Sequence, residues 1–237
     1  MQKKLVIAVL AGVLVGWLPA ARAQDSKKPG GAGLDQVLSL MDTAAANFKS
    51  AEANFVWEQY QKVVNDTDVQ KGVIYFRRSG GKDVQMAADI QGPAKKYVLY
   101  ADNKVQVYQP GIDQVTQYAA GKNKADFESF LVLGFGGSGR DLERSFEVSL
   151  ADNEVVDGVN TARLDLTPKS EKARGMFNKI SLWVNLKNGV SVKQQFFEPS
   201  GDYRLTRYSD IKINEKIPGD AFKLKTTSKT KYLNPQS

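Results

Sequence analysis

The sequence predicts a mainly β protein built on one curved antiparallel sheet, with a few short helices. Three observations predict it. Hydrophobicity alternates with a period of two through most of residues 54–213, turn signals recur at short intervals, and the helical period surfaces only in brief stretches. One apolar face of so long a sheet must be covered, by a second sheet or by helices. Two small helices are too little for ten or more strands. The shortfall leaves two readings open, a sandwich that fills itself or a cavity that holds an apolar ligand.

The elements follow in order. Leu34, Val37, Leu38, Met41, Ala44, Ala45 and Phe48 repeat at helical spacing, with Asp35, Gln36, Asp42 and Lys49 opposite. From Phe55, Trp57 and Gln59 onward the period is two. Asn65-Asp66 marks a turn, Gly72 to Arg78 a second strand, and Val84, Met86, Ala88 and Ile90 the clearest half-buried strand. Asp102-Asn103-Lys104 joins two short strands, and Val115 to Tyr118 adds another after Pro110-Gly111. Phe127, Phe130, Leu131 and Leu133 suit a short helix. It ends in Gly134-Phe135-Gly136-Gly137-Ser138-Gly139, which reads as a hinge or a turn, with one further helical turn at Arg140 to Arg144. No Lys-Ser or Lys-Thr follows these glycines, so they are no phosphate loop. Hairpins at Asp157-Gly158 and Asn188-Gly189 and a turn at Pro199-Ser200-Gly201-Asp202 link the closing strands, which end at Ile213. This makes ten or eleven strands, with no internal repeat.

Composition narrows the function. The 237 residues are 42% hydrophobic and 25% charged, which is globular material. There is no cysteine and no histidine. Disulfides, thiolate or imidazole metal sites, cysteine nucleophiles and Ser-His-Asp triads are excluded. Asp83, Asp89, Glu147, Asp165 and Glu198 could supply a carboxylate pair, but none sits in a recognisable signature. The sequence therefore points to no catalytic residue, no cofactor and no metal.

The N-terminus reads as a secretory leader. Lys3 and Lys4 precede an apolar stretch from Leu5 to Leu18, and Ala21-Arg22-Ala23 offers small residues for cleavage after Ala23. The stretch is short for a membrane span. Residues 24–33 form a glycine-rich tether, and residues 34–237 are expected as one domain. Removing Lys3, Lys4 and Arg22 takes the formal charge from +7 to +4. Lys223, Lys225, Lys229 and Lys231 are the densest run. Such lysines guard exposed strand edges, and attraction to an anionic membrane is the other reading. Nucleic-acid binding would demand a stronger cluster with stacking aromatics.

Several short motifs carry a family resemblance. Phe55-x-Trp57-x-Gln59, Gly72-x-Ile74-Tyr75-Phe76-Arg77-Arg78 and Asp102-Asn103-Lys104-Val105-x-Val107-Tyr108-x-Pro110 follow the helix in register. Ile112 to Thr116, Leu164-x-Leu166-Thr167-Pro168-Lys169, Ile180-x-Leu182-x-Val184 and Ile211 to Phe222 complete the set. Over residues 34–226 the chain resembles the LolA-type periplasmic carriers of outer-membrane lipoproteins. The resemblance implies an incomplete barrel of about eleven strands with a helical lid over an apolar concave face. It implies a monomeric periplasmic carrier that takes lipoprotein acyl chains from an ATP-driven release transporter in the inner membrane. An outer-membrane acceptor would receive them. A carrier or sensor of another envelope lipid, or a structural module with a filled core, are the alternatives.

Phe55, Trp57, Val84, Met86, Ile90, Phe127, Phe130, Leu131, Leu164, Leu166, Leu182 and Val184 are the candidate cavity lining. Plain core is the competing assignment for each. In the resemblance an arginine at an early strand end, usually followed by proline, latches the lid. Arg78 matches it, Arg77 adjoins it, and Ser79 and Gly80-Gly81-Lys82 depart from the pattern. An acyl chain of roughly fifteen methylenes gains about 12 kcal/mol on leaving water but almost nothing on leaving a bilayer. Such a carrier needs an energised donor and a shape that adapts, rather than catalysis.

Overall fold

A computed structural model describes residues 32–79, 83–119 and 133–234. The predicted leader with its Ala23 cleavage site, most of the tether, and the predicted helix with Phe127, Phe130 and Leu131 lie outside the described residues. Helix α1 (Leu34–Asn47) precedes β1 (Ser50–Gln61), β2 (Asp66–Ser79), β3 (Asp83–Gly92), β4 (Lys96–Ala101), β5 (Lys104–Gln109) and β6 (Gln114–Ala119). Helix α2 (Gly139–Ser145) leads into β7 (Phe146–Val156) and β8 (Val159–Pro168). A single turn, α3 (Glu171–Arg174), precedes β9 (Lys179–Asn185), β10 (Ser191–Phe197), β11 (Tyr203–Ile213) and β12 (Lys231–Leu233).

The strands form one sheet in the order β12-β6-β5-β4-β3-β2-β1-β11-β10-β9-β8-β7. Neighbours are antiparallel except β12, which runs parallel to β6. The predicted turns take left-handed backbone where their sequences allow it, at Asn65, Asp102, Asn103, Asp157, Gly158 and Gly189. The sheet has one strand more than the eleven expected at most. The extra strand is β12, and α3 was also not foreseen.

Helix α1 forms on the apolar stripe of Val37, Leu38, Met41 and Ala45, all buried. Asp35 suits its first turn, and Gln36 Oε1 accepts from Gly33 N at 3.0 Å. Its apolar face packs with Leu142 of α2 onto Ala162, Leu164 and Leu166 of β8 and Ile180, Leu182 and Val184 of β9. Burying Val37, Leu38 and Met41 contributes about 1.5–3 kcal/mol each. Asn214 fixes where the helix leaves the sheet. Its Oδ1 accepts from Lys49 N and Ser50 N, and its Nδ2 donates to Asn47 O.

The other face carries a strap. From Asn214 to Thr230 the chain crosses from β11 to the far edge of the sheet, over the side bearing Tyr75, Ala87, Asp89, Tyr97 and Leu99. The guanidinium of Arg77 lies 4.2 Å from the Phe222 ring centre, and Lys225 pairs with Asp220 at 2.9 Å. Lys223 and Lys225 therefore belong to the strap, and Lys231 stands on the edge strand itself. Asp113 anchors the strap's end, accepting from Thr230 Oγ1 at 2.6 Å, Thr227 Oγ1 at 2.7 Å and Tyr108 Oη at 3.1 Å.

The hydroxyls of Thr230 and Thr227 hold the Asp113 carboxyl below its ordinary value. A depressed folded-state pKa gives stabilisation that is present above the unfolded value and lost as pH falls through the folded one. Amide protection at Lys231–Leu233 is therefore expected to drop as pH is lowered below about 4. Hydrogen exchange checks this, and Asp113→Asn should flatten the dependence; equal pH profiles would remove Asp113 as the anchor.

Candidate functional site

Strand registers put Ala51, Ala53, Phe55 and Trp57 of β1 on the same face as Gly72, Ile74, Phe76 and Arg78 of β2. Val84, Met86, Ala88 and Ile90 of β3 and Val98 and Tyr100 of β4 continue that face. It is the face that α1 covers at the β8–β9 side, here called the concave face. It divides into three parts.

Under α1 the face is filled. Leu164, Leu166, Leu182 and Val184 are fully buried against helix side chains. In this arrangement they are packing partners of α1. At the far side, Phe55, Ala88 and Ile90 are buried, whereas the neighbouring Trp57, Ile74, Met86 and Val98 are only partly so. Val84 is buried as well. The structure thus brings Phe55, Trp57, Met86 and Ile90 onto one wall and sets Leu164, Leu166, Leu182 and Val184 in a separate cluster.

The glycine-rich segment closes the middle. Phe135 is wholly buried there. Its ring stacks on Phe76 at 5.1 Å between centroids and meets Tyr208 edge-on at 4.7 Å. The backbone around it is held from three sides. Arg78 Nη2 donates to Gly136 O at 2.8 Å, Ser191 N donates to Gly134 O at 2.9 Å, and Gln194 Nε2 donates to Leu133 O. Gly136 has φ +114°, and a Cβ there would lie 2.7 Å from the Phe48 ring, so only glycine lets the segment pass. Gly139 likewise lets α2 approach α1, since its Cβ would sit 2.6 Å from Leu38 O.

Arg77 and Arg78 serve opposite faces. Arg78 stands 5.8 Å from the Phe48 ring centre, and its Nε is buried without a hydrogen-bond partner among the described residues. Arg77 donates from Nε and Nη2 to Gln85 Oε1 and stacks on the strap's Phe222. Of the two, Arg78 is the one that touches the glycine-rich segment. Burial pushes the Tyr208 hydroxyl well above its ordinary pKa, so it remains neutral and donates to Gln194 Oε1 at 3.4 Å.

Sequence reasoning missed Phe135, Gln194 and Tyr208. Gln194 carried a signal: it shares the phase of Val192 and Phe196 on β10 and is a polar residue in an apolar row. Phe135 was hidden among glycines that spoke only of a turn. The acids considered for chemistry are scattered. Asp89, Glu147 and Asp165 lie on the convex face by strand parity, and Glu198 pairs with Arg204 in a turn at 2.8 Å. Among the described residues no group of three or more acids could hold a metal. The cavity beneath the strap, about 80 Å³, has room for a few waters, not for an acyl chain.

One curved sheet, helix-covered on one part of its concave face and lined with half-buried apolar side chains on another, makes an open half-barrel. The family model described as outer membrane lipoprotein carrier protein LolA matches residues 46–225, and the chain belongs to that family, which is one of carriers rather than enzymes. An outer-membrane lipoprotein carrier protein of Pseudomonas fluorescens is 23% identical over 193 residues, covering 81% of this chain and 82% of the relative. Among solved structures, MucB superposes with a TM-score of 0.53 at 15% identity, covering 82% of this chain and 64% of its own. The chain thus spans less than two thirds of MucB. An uncharacterised conserved protein from Thermus thermophilus gives a TM-score of 0.53 at 7% identity, covering 84% and 98%. These likenesses are of fold. No helix among the described residues is long and apolar enough to cross a membrane.

Proposed function

We propose that the protein is exported through its N-terminal leader and carries lipoproteins across the periplasm, holding their acyl chains against the concave face. The observation that carries this reading is the half-buried wall of Trp57, Ile74, Met86 and Val98 beside a central ring, Phe135, that occupies the middle of the same face. Aromatic and methionine side chains suit acyl chains of varied shape, because they repack at little cost. The glycine-rich segment acts as the lid, and Arg78 is its latch. An energised inner-membrane transporter loads the cargo and an outer-membrane acceptor removes it, since transfer from bilayer to carrier gains almost no hydrophobic free energy.

Native mass spectrometry of the protein purified from its own envelope tests the reading. A triacylated lipoprotein bound one-to-one is the expected species. Protein free of lipid that also binds no apolar fluorescent probe would leave a structural module with a filled core.

The latch has its own test. Arg78→Leu removes the bond to Gly136 O together with a half-buried charge, so folding should survive. Probe binding should rise about tenfold, the loss of one charge-assisted hydrogen bond from the closed state. Delivery to an acceptor should fall. Unchanged probe binding and unchanged delivery would dispose of the latch.

A further inference from the structure

The two rims of the sheet differ in a way that the carrier reading does not use. One rim gathers the β1–β2, β3–β4, β5–β6, β8–β9 and β10–β11 connections and the approach to β12. Residues 62–66, 92–96, 110–113, 169–179, 198–204 and 229–231 hold ten Lys and Arg against five Asp and Glu. That excess of five matches the whole chain's +4 once the leader's three cations are set aside, so the rest of the molecule is close to neutral. The described connections at the opposite rim, 47–50, 101–104, 156–159, 185–191 and 213–216, hold four cations against three acids. Three acids on the charged rim are also engaged: Asp113 by the strap's threonines, Asp202 by Lys62 N, and Glu198 by Arg204.

The same rim bears exposed apolar side chains at its tips. Val63 is 94% exposed and Val64 64%, and Ile112 and Met176 are also exposed. The β1–β2 hairpin projects furthest past its β3 neighbour. Pairing with β3 ends at Lys71, so Asp66–Gln70 continue without it, a reach of about 16 Å at ~3.3 Å per residue. The tip is firm. Tyr60 stacks on Tyr203 at 5.0 Å, and Asp202 Oδ1 accepts from Lys62 N at 2.8 Å. Among the described residues, the two valines at the tip of this stiff hairpin remain largely exposed.

We propose that this rim docks on an anionic lipid surface, with Val63 and Val64 entering the headgroup layer and the surrounding lysines meeting lipid phosphates. A convex apolar tip suits a deformable lipid layer, and the positive excess suits its charge. Two small side chains and a modest charge give a weak, reversible contact. Trp57 and Ile90 lie at this end of the concave wall, so docking brings that wall to the bilayer.

Co-sedimentation of the mature protein with vesicles tests the proposal. Binding is expected to equimolar phosphatidylcholine–phosphatidylglycerol and not to phosphatidylcholine alone, and to weaken as salt shortens the screening length. Val63→Asp with Val64→Asp should reduce the anionic-vesicle affinity about tenfold or more at an unchanged melting temperature, because these side chains touch little of the fold. Lys172→Glu with Lys95→Glu should weaken binding in low salt and abolish most of its salt dependence. Absence of anionic-vesicle binding by the wild type would overturn the proposal. So would full binding by the valine variant, or a valine variant that fails only in cargo delivery, which would assign the tip to a protein partner.

Discussion

Leu182→Asp is expected to unfold the protein rather than to empty a binding site. Leu182 is fully buried, opposite Leu164 on β8 and beneath the apolar stripe of α1. The substitution forfeits about 2–3 kcal/mol of apolar burial and places a carboxylate among apolar side chains, where the amide of its β10 neighbour Gln194 is already committed to Leu133 O. The unpaired charge adds several kcal/mol, and the sum rivals the ~5–15 kcal/mol by which domains of this size are stable. Denaturant titration followed by circular dichroism checks it. Met86→Asp makes the contrast. Met86 is half-buried, so its carboxylate can reach water, and that variant should fold yet lose apolar-probe binding. A Leu182→Asp protein with a near-native midpoint would mean that α1 swings clear and that Leu182 lines the cavity after all.

The contrast follows the boundary between what the sequence made legible and what it did not. Period-two alternation located the strands and assigned their faces, because a half-buried strand writes its environment into every second residue. It named Phe55, Met86, Leu164 and Leu182 as inward-facing in the same way. It could not separate the filled part of the face from the half-covered part. That distinction depends on where α1 lies, which is decided by Asn214, Gly139 and the β8–β9 surface, all far apart in sequence. The strap escaped for a related reason. Residues 214–230 are polar and aperiodic, and their position comes from single contacts such as Phe222 on Arg77 and Thr230 on Asp113. With the strap in place, Ala87 and Leu99 are buried on the face opposite Met86 and Ala88. Which of Arg77 and Arg78 reaches the glycine-rich segment likewise depends on parity and on a partner at each face, and the partners lie 58 and 145 residues away.

Phe135→Ala should separate stability from binding in the opposite sense to Leu182→Asp. The ring fills the centre of the concave face between Phe76 and Tyr208, and removing it leaves a void that the stiff surrounding sheet closes only in part. A loss of about 3–5 kcal/mol is expected. The void is lined by Phe76, Tyr208 and the neighbouring Ile74 and Met86, which join the same cluster. An apolar ligand entering it recovers dispersion contacts that water cannot supply. The variant should therefore bind an apolar probe more tightly than the wild type does, and its melting temperature should rise further on adding the probe. A variant destabilised by that amount with no gain in probe affinity would make Phe135 ordinary core. It would also move the site away from the glycine-rich segment, because the same ring cannot both block the acyl path and be irrelevant to it. Arg78, Ser191 and Gln194 hold the backbone on either side of Phe135, so their bonds set the cost of moving it. The wild-type sequence thus places the fully buried Phe135 where three hydrogen bonds set the cost of opening the centre of the concave face.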